Sequence, residues 1–183
     1  LLLMIPNLYK LAGEHLPCVL HVAARTVATH ALSIFGDHSD VMAIRQTGCI
    51  LLSSNSVQEA HDFALIAHVL AYETSLPVVH FFDGFRTSHE TQKIEIILND
   101  VIKKMLPLKQ IEKFREGRLT PEKPYQKGTA QNPDVFFQNR ELSSTAYVNV
   151  CEILSRILDK FASLTGRTYQ AHQLVGAKKP KKE

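Results

Sequence analysis

Two apolar runs on either side of a capped helix constrain this chain more than anything else in it. Gly48-Cys-Ile-Leu-Leu-Ser-Ser54 ends at Asn55 and Ser56, and Pro77-Val-Val-His-Phe-Phe82 ends in Asp83-Gly-Phe-Arg-Thr-Ser-His-Glu90. Both runs have strand length and lack apolar/polar alternation, as strands buried on both faces do. Between them, Ser56-Val-Gln-Glu59 is a capping box, followed at helical spacing by Ala60, Phe63, Ala64, Ala67, Leu70 and Ala71. This predicts an amphipathic helix of about four turns. Strand, helix and strand then make a βαβ unit, with parallel strands and, in nearly all cases, a right-handed crossover.

A third run, Pro17-Cys-Val-Leu-His-Val-Ala-Ala24, ends at Arg25 and adds a strand. The expected fold class is α/β, a partial parallel sheet with flanking helices. Leu8 to Leu16 and Thr26 to Ile34 read as helices, Gly36-Asp-His-Ser-Asp40 as a turn, and Lys109 to Arg118 as a short charged helix. Gly, Pro and Asn dominate from Gly117 to Pro133, which reads as a surface excursion or an arm that embraces a neighbour. Tyr147, Val150, Cys151, Leu154, Ile157, Leu158 and Phe161 mark a long amphipathic helix that Gly166 stops. Residues 1–105 are read as the α/β core, 106–176 as a peripheral extension with the long helix, and 177–183 as a basic linker or tail.

At 183 residues, 45% hydrophobic and 21% charged, the composition is that of a globular domain. The net charge of +3 is exceeded by the four lysines of Lys178-Lys-Pro-Lys-Lys182 alone, so the remainder is near neutral and argues against a nucleic-acid surface. Three widely spaced cysteines, Cys18, Cys49 and Cys151, form no Cys-x-x-Cys and write neither a disulfide framework nor a zinc or iron–sulfur site. The apolar opening Leu1-Leu-Leu-Met-Ile-Pro6 lacks an initiator methionine and a basic n-region, and Lys10 and Glu14 follow too soon for a membrane span. An internal start is therefore expected, in a piece of a longer protein.

Open parallel sheets bind ligands just past the carboxyl ends of their strands, which directs attention to Arg25 and to the loop carrying Asp83, Arg86 and His89. Gly84 frees the backbone there, and the loop holds more polar groups than a plain turn needs. It is either a solvated loop with a helix cap or a ligand or interface loop. Arg25 faces a similar choice. A guanidinium at a strand end grips a carboxylate through two parallel hydrogen bonds, or it forms a structural ion pair with a nearby Asp or Glu. Among the nine histidines, His61 and His68 share a helix face, but at seven residues apart they are too distant for chelation from adjacent turns. Asp37, His38 and Asp40 could surround a cation or simply make a hydrogen-bonded turn. No Gly-x-Ser-x-Gly elbow, P-loop or Gly-x-Gly-x-x-Gly is present.

Taken together, His21-Val-Ala-Ala-Arg25, Ala31-Leu-Ser-Ile-Phe-Gly-Asp-His-Ser-Asp40, Arg45-Gln-Thr-Gly48, Ser56-Val-Gln-Glu59 and Phe81-Phe-Asp-Gly-Phe-Arg-Thr-Ser-His-Glu90 resemble the pyruvate:ferredoxin (flavodoxin) oxidoreductase family. Lys127-Gly-Thr-Ala-Gln-Asn-Pro-Asp134 and Ser163-Leu-Thr-Gly-Arg-Thr-Tyr169 continue the resemblance, which runs from Leu1 to about Gly176. Thr26, Thr29 and Ser39 depart from the residues usual there. The resemblance implies the latter part of a first, thiamine-diphosphate-fold domain of the pyrimidine type, incomplete at its amino end. It implies an enzyme that converts pyruvate and coenzyme A to acetyl-CoA and carbon dioxide and passes electrons through 4Fe–4S clusters to ferredoxin or flavodoxin. Thiamine diphosphate and Mg2+ are implied cofactors, a homodimer the implied assembly, and the cytoplasm the implied compartment, or a mitochondrion-related organelle in an anaerobic protist. The family's arginine that binds the pyruvate carboxylate falls on Arg25. The family's pyrimidine-activating glutamate lies upstream of Leu1, and its diphosphate, magnesium and cluster motifs lie downstream of Glu183, so the isolated chain is expected to be inactive. Two other settings are a fusion that feeds an NADP-dependent flavoprotein and a non-catalytic scaffold of the kind found in sulfite reductase flavoprotein subunits.

Overall fold

The computed structural model describes residues 1–173 and 176; the lysine-rich tail from residue 177 lies outside them. The strands are β1 (Val19–Ala24), β2 (Ile50–Ser54) and β3 (Val78–Asp83). They form one parallel sheet in the order β1-β3-β2, with Val19 and Ile50 both in register with Val78. The βαβ expectation holds, since β2 and β3 are adjacent and parallel and the intervening helix is α3 (Val57–Thr74), about five turns rather than four. Ser56 caps it by accepting from the Glu59 amide at 3.1 Å, while the Glu59 carboxylate accepts from the Asn55 amide at 2.8 Å. The box thus closes one residue earlier than its usual form, in which the carboxylate returns to the cap residue itself.

The period-2 alternation of β3 separates two layers. Val78 faces a core of Phe63, Ile66, Leu70 and, from α8 (Val150–Thr165), Ile157, Leu158 and Phe161. Val79 faces the other way, onto Leu8 of α1 (Ile5–Gly13), Ile44 and Cys49. Phe81, two residues on, meets Val41 of α2 (Ser39–Ala43). Gly166 stops α8 in the left-handed region at φ +75°, as its position predicts.

Three local expectations need correction. Residues 26 to 34 are not helical; β-branched Thr26, Val27 and Thr29 disfavour a helix, and polar side chains hold the segment irregular instead. The Val27 amide donates to Ser39 Oγ at 2.8 Å, and Thr26 Oγ1 accepts from the Asp37 amide at 3.1 Å. The first helix begins three residues earlier than expected because Pro6 suits a helix's first turn. Cys151, assigned to the buried stripe of the long helix, is exposed.

Beyond β3 lie four short helices: α4 (Arg86–His89), α5 (Asn99–Met105), α6 (Leu108–Glu116) and α7 (Pro133–Ser143). The excursion from 117 to 132 has no regular structure beyond an isolated bridge between Thr120 and Lys123. A carboxylate clamp ties the carboxyl-terminal segment to α3. Asp62, fully buried, accepts from Arg167 at 2.6 and 2.9 Å, from Tyr169 Oη at 2.7 Å and from Gln58 at 3.1 Å. Arg167 also donates to Glu95 at 3.2 Å and lies over the Phe161 ring. A buried ion pair is tolerated only when its remaining hydrogen-bonding positions are filled, and here they are.

Candidate functional site

Because all three strands are parallel, their polar termini Arg25, Asn55 and Asp83 emerge at one end of the sheet. The turn after β3 is shaped by Asp83, whose Oδ1 accepts from the amides of Phe85, at 2.9 Å, and Arg86. This is the local hydrogen bonding that favours aspartate ahead of a helical turn. These two amides, the Arg86 amide foremost, together with His38 hold the Asp83 carboxyl below the ordinary aspartate range. His38 Nε2 lies 3.2 Å from Asp83 Oδ2. The His38 backbone sits in the left-handed region at φ +54°, a conformation that costs free energy in any residue but glycine.

Gly84 is required by close approach. Its amide donates to the Ala24 carbonyl at 2.8 Å, and a Cβ added there would fall 2.5 Å from that oxygen and 2.7 Å from Arg25 Cγ. The strands therefore bring Arg25 directly against the turn after β3. The Arg25 amide donates to Asp40 Oδ2 at 3.1 Å, which fixes its main chain. Its guanidinium makes no ion pair among the described residues. An exposed arginine held this way keeps its paired donors for a ligand.

Arg25 lines a concavity of about 140 Å³ together with Gly84, Phe85 and His89 and with Leu32, Ser33 and Ile34. Phe35 packs edge-on against Phe85 at 5.9 Å, and Phe85 in turn lies 5.8 Å from the His89 ring. His89 Nδ1 is 2.8 Å from Ser88 Oγ, which donates to the Gly84 carbonyl. A single cation with apolar walls suits a small carboxylic acid. The structure thus joins Arg25 and His89 in one cavity, gives Asp83 the work of shaping the loop, and leaves Arg86 exposed on α4.

Sequence reasoning missed several neighbours. Leu32 and Ile34 were read as part of a helix, and only their placement in an irregular segment brings them to the cavity. His38, weighed as part of a cation site, is instead the partner of Asp83. Among the described residues no group of three His, Cys, Asp or Glu side chains is arranged to hold a metal. His61 accepts from the Ile97 amide at 3.0 Å, an ordinary structural role. A polar chain also runs across the sheet beneath α3. Ser54 Oγ lies 2.6 Å from His80 Nε2, and His80 Nδ1 lies 2.9 Å from His21 Nδ1. Its one visible signal was a histidine inside the most apolar strand. No described helix is long and apolar enough to cross a membrane.

The family model described as "Pyruvate flavodoxin/ferredoxin oxidoreductase, thiamine diP-bdg" matches residues 1–158. A pyruvate:ferredoxin oxidoreductase of Moorella thermoacetica is 55% identical over 177 residues, covering 97% of this chain and 15% of that protein. A pyruvate-flavodoxin oxidoreductase of Nostoc sp. is 57% identical over 178 residues, with the same two shares. A pyruvate dehydrogenase (NADP+) of Cryptosporidium parvum is 51% identical over 176 residues, 96% of this chain and 9% of that protein. The chain thus spans about 15% of the length of the first two relatives. With a match that takes in the sheet, α3 and the whole Arg25 cavity, the chain belongs to the thiamine diphosphate-binding domain family of pyruvate flavodoxin/ferredoxin oxidoreductases.

Proposed function

We propose that these residues serve an enzyme that oxidatively decarboxylates pyruvate with coenzyme A, yielding acetyl-CoA and carbon dioxide. Electrons pass through 4Fe–4S clusters to ferredoxin or flavodoxin, in a cytoplasmic homodimer of longer chains. The observation that carries this reading is the Arg25 guanidinium, unpaired among the described residues, in a small, apolar-walled cavity at the carboxyl edge of the sheet. Thiamine diphosphate, when bound, supplies the carbanion chemistry of decarboxylation. The described residues fit neither its magnesium nor the clusters. No described trio of ligands converges on a cation, and a 4Fe–4S cluster takes four thiolates where the chain has three cysteines. Those groups belong, in this reading, to other parts of the longer protein, and the isolated chain is inactive.

The contribution of this chain is binding and orientation. Arg25 donates two parallel hydrogen bonds to the pyruvate carboxylate and performs no proton chemistry. Leu32 and Ile34 offer apolar surface to the methyl end of the substrate, and Asp83 holds the loop that brings Gly84 and His89 to the same cavity. The Cryptosporidium relative favours one further setting, in which the same module feeds an NADP-dependent partner domain. A purely scaffolding role gives no reason to keep a guanidinium unpaired beside an apolar wall.

Replacing Arg25 by Gln in the complete enzyme tests the reading. Each charge-assisted hydrogen bond contributes about 1.5–3 kcal/mol, so the pyruvate KM should rise by about tenfold or more per bond lost while the protein stays folded. Arg25→Lys keeps the charge without the fork and should fall between. Pyruvate kinetics unchanged in Arg25→Gln would refute the assignment.

A further inference from the structure

The end of the sheet opposite Arg25, where β1 and β3 begin, borders a second concavity that shares no residue with the Arg25 cavity. Its volume is about 530 Å³, within the range of small-molecule sites. It lies among the carboxyl ends of α1 and α3, helix α6 and the 117–127 excursion. Lys109 and Lys113 enter it from one face of α6, and Arg118 and Lys127 from the excursion. None of these four cations makes an ion pair among the described residues. Glu73 is the one carboxylate in the lining, and it is already engaged by Arg156 and Gln110, each at 3.3 Å. Like charges four residues apart on a helix repel one another. Two further cations converging on the same hollow raise the positive potential further, and an entering anion relieves it.

The walls are aromatic. Tyr72 and Phe114 meet edge to face at 6.1 Å, and the Lys127 ammonium lies 5.4 Å from the centroid of the Tyr125 ring. Phe114 and Tyr125 remain 43% and 42% exposed although they line a concavity, so ring surface is available for stacking. The excursion that forms this wall is pinned to α1, because Lys10 Nζ donates to the Gly128 carbonyl at 3.0 Å. Cations alone would serve any polyanion; the rings add a preference for a planar base.

We infer that this cavity binds a nucleoside polyphosphate, with its phosphates on Lys109, Lys113 and Arg118 and its base against Phe114 and Tyr125. The site is independent of the Arg25 cavity, and its test does not use pyruvate. Isothermal titration of the complete protein that carries these residues, saturated with thiamine diphosphate and coenzyme A so that those sites are filled, with ADP and inorganic pyrophosphate as probes, reads it directly. ADP should bind in a salt-sensitive manner and more tightly than pyrophosphate. Lys109→Ala combined with Lys113→Ala should abolish this binding event, and Phe114→Ala should weaken ADP by about tenfold with little effect on pyrophosphate. Pyruvate oxidation with coenzyme A and no other added nucleotide should be unchanged in both variants, which also reports that they are folded. Absence of ADP binding, equal affinity for the two probes, or ADP binding that survives the double lysine substitution would overturn the inference.

Discussion

Lowering the pH from 6.5 towards 4 should destabilise this protein through His80. His80 is 1% exposed, sits between Ser54 and His21, and has its protonation lowered from 6.5 to about 4, first by burial and then by the neighbouring His21. With the two Nδ1 atoms 2.9 Å apart, only one hydrogen fits between the rings, so the pair cannot hold a proton on both. In the unfolded chain the imidazole takes its proton near pH 6.5; in the folded chain it does so only near pH 4. Across that interval the unfolded state binds more protons, so stability rises with pH: it is complete above 6.5 and lost progressively down to about 4. At 1.36 kcal/mol per unit the loss is about 3 kcal/mol, or a fall in Tm on the order of 10 °C for a chain of this size. His21 and His68 are shifted in the same direction by burial and add to the slope. Thermal unfolding followed by circular dichroism across this interval measures the slope, and His80→Gln should flatten it. A wild-type Tm that is level between pH 6.5 and 4.5, or a His80 ring that titrates by NMR near 6.5, would refute the account.

Gly84→Ala places a Cβ against the Ala24 carbonyl and the Arg25 side chain. It should cost about 1–3 kcal/mol, read by denaturant unfolding, and should weaken pyruvate binding in the complete enzyme because Arg25 is displaced with it. Arg167→Ala leaves the Asp62 carboxylate buried without its counter-charge. It should destabilise by about 3–5 kcal/mol, against which Asp62→Asn in the same background should recover part of the loss in a double-mutant cycle.

The layers and strand order of this fold follow from features that act locally. Continuous apolar runs at 17–24, 48–54 and 77–82 needed no distant partner to be recognised, and Ser56 with Glu59 announced α3 by chemistry that closes within one turn. The α7 helix gave no such sign, because its sequence has no apolar stripe and none of its residues is buried. Residues 26 to 34 were misread for the opposite reason: their apolar residues are helix-like in spacing, but Ser39 Oγ claims the Val27 amide and Thr26 Oγ1 turns to the Asp37 amide. At the site, Arg25 was legible as the first charge after a strand, whereas its apolar neighbours Leu32 and Ile34 were not. What brings them to it is the irregular path of the chain between β1 and α2, which periodicity does not encode.

The clamp on Asp62 also has a dimension in time. Arg167 follows Asp62 by 105 residues, so at roughly 5–20 residues per second synthesis takes about 5–20 s to deliver the guanidinium after the carboxylate. The strands and helix of the βαβ unit are complete by residue 83, yet α3 cannot seat its inner face without burying an anion that lacks its counter-charge, at a cost of several kcal/mol. Until then the carboxylate stays in water and α3 stays loosely held. The arrival of Arg167, with α8 just ahead of it, makes the seating of α3 wait for a segment made 105 residues later, and so sets the order in which these elements commit to the fold.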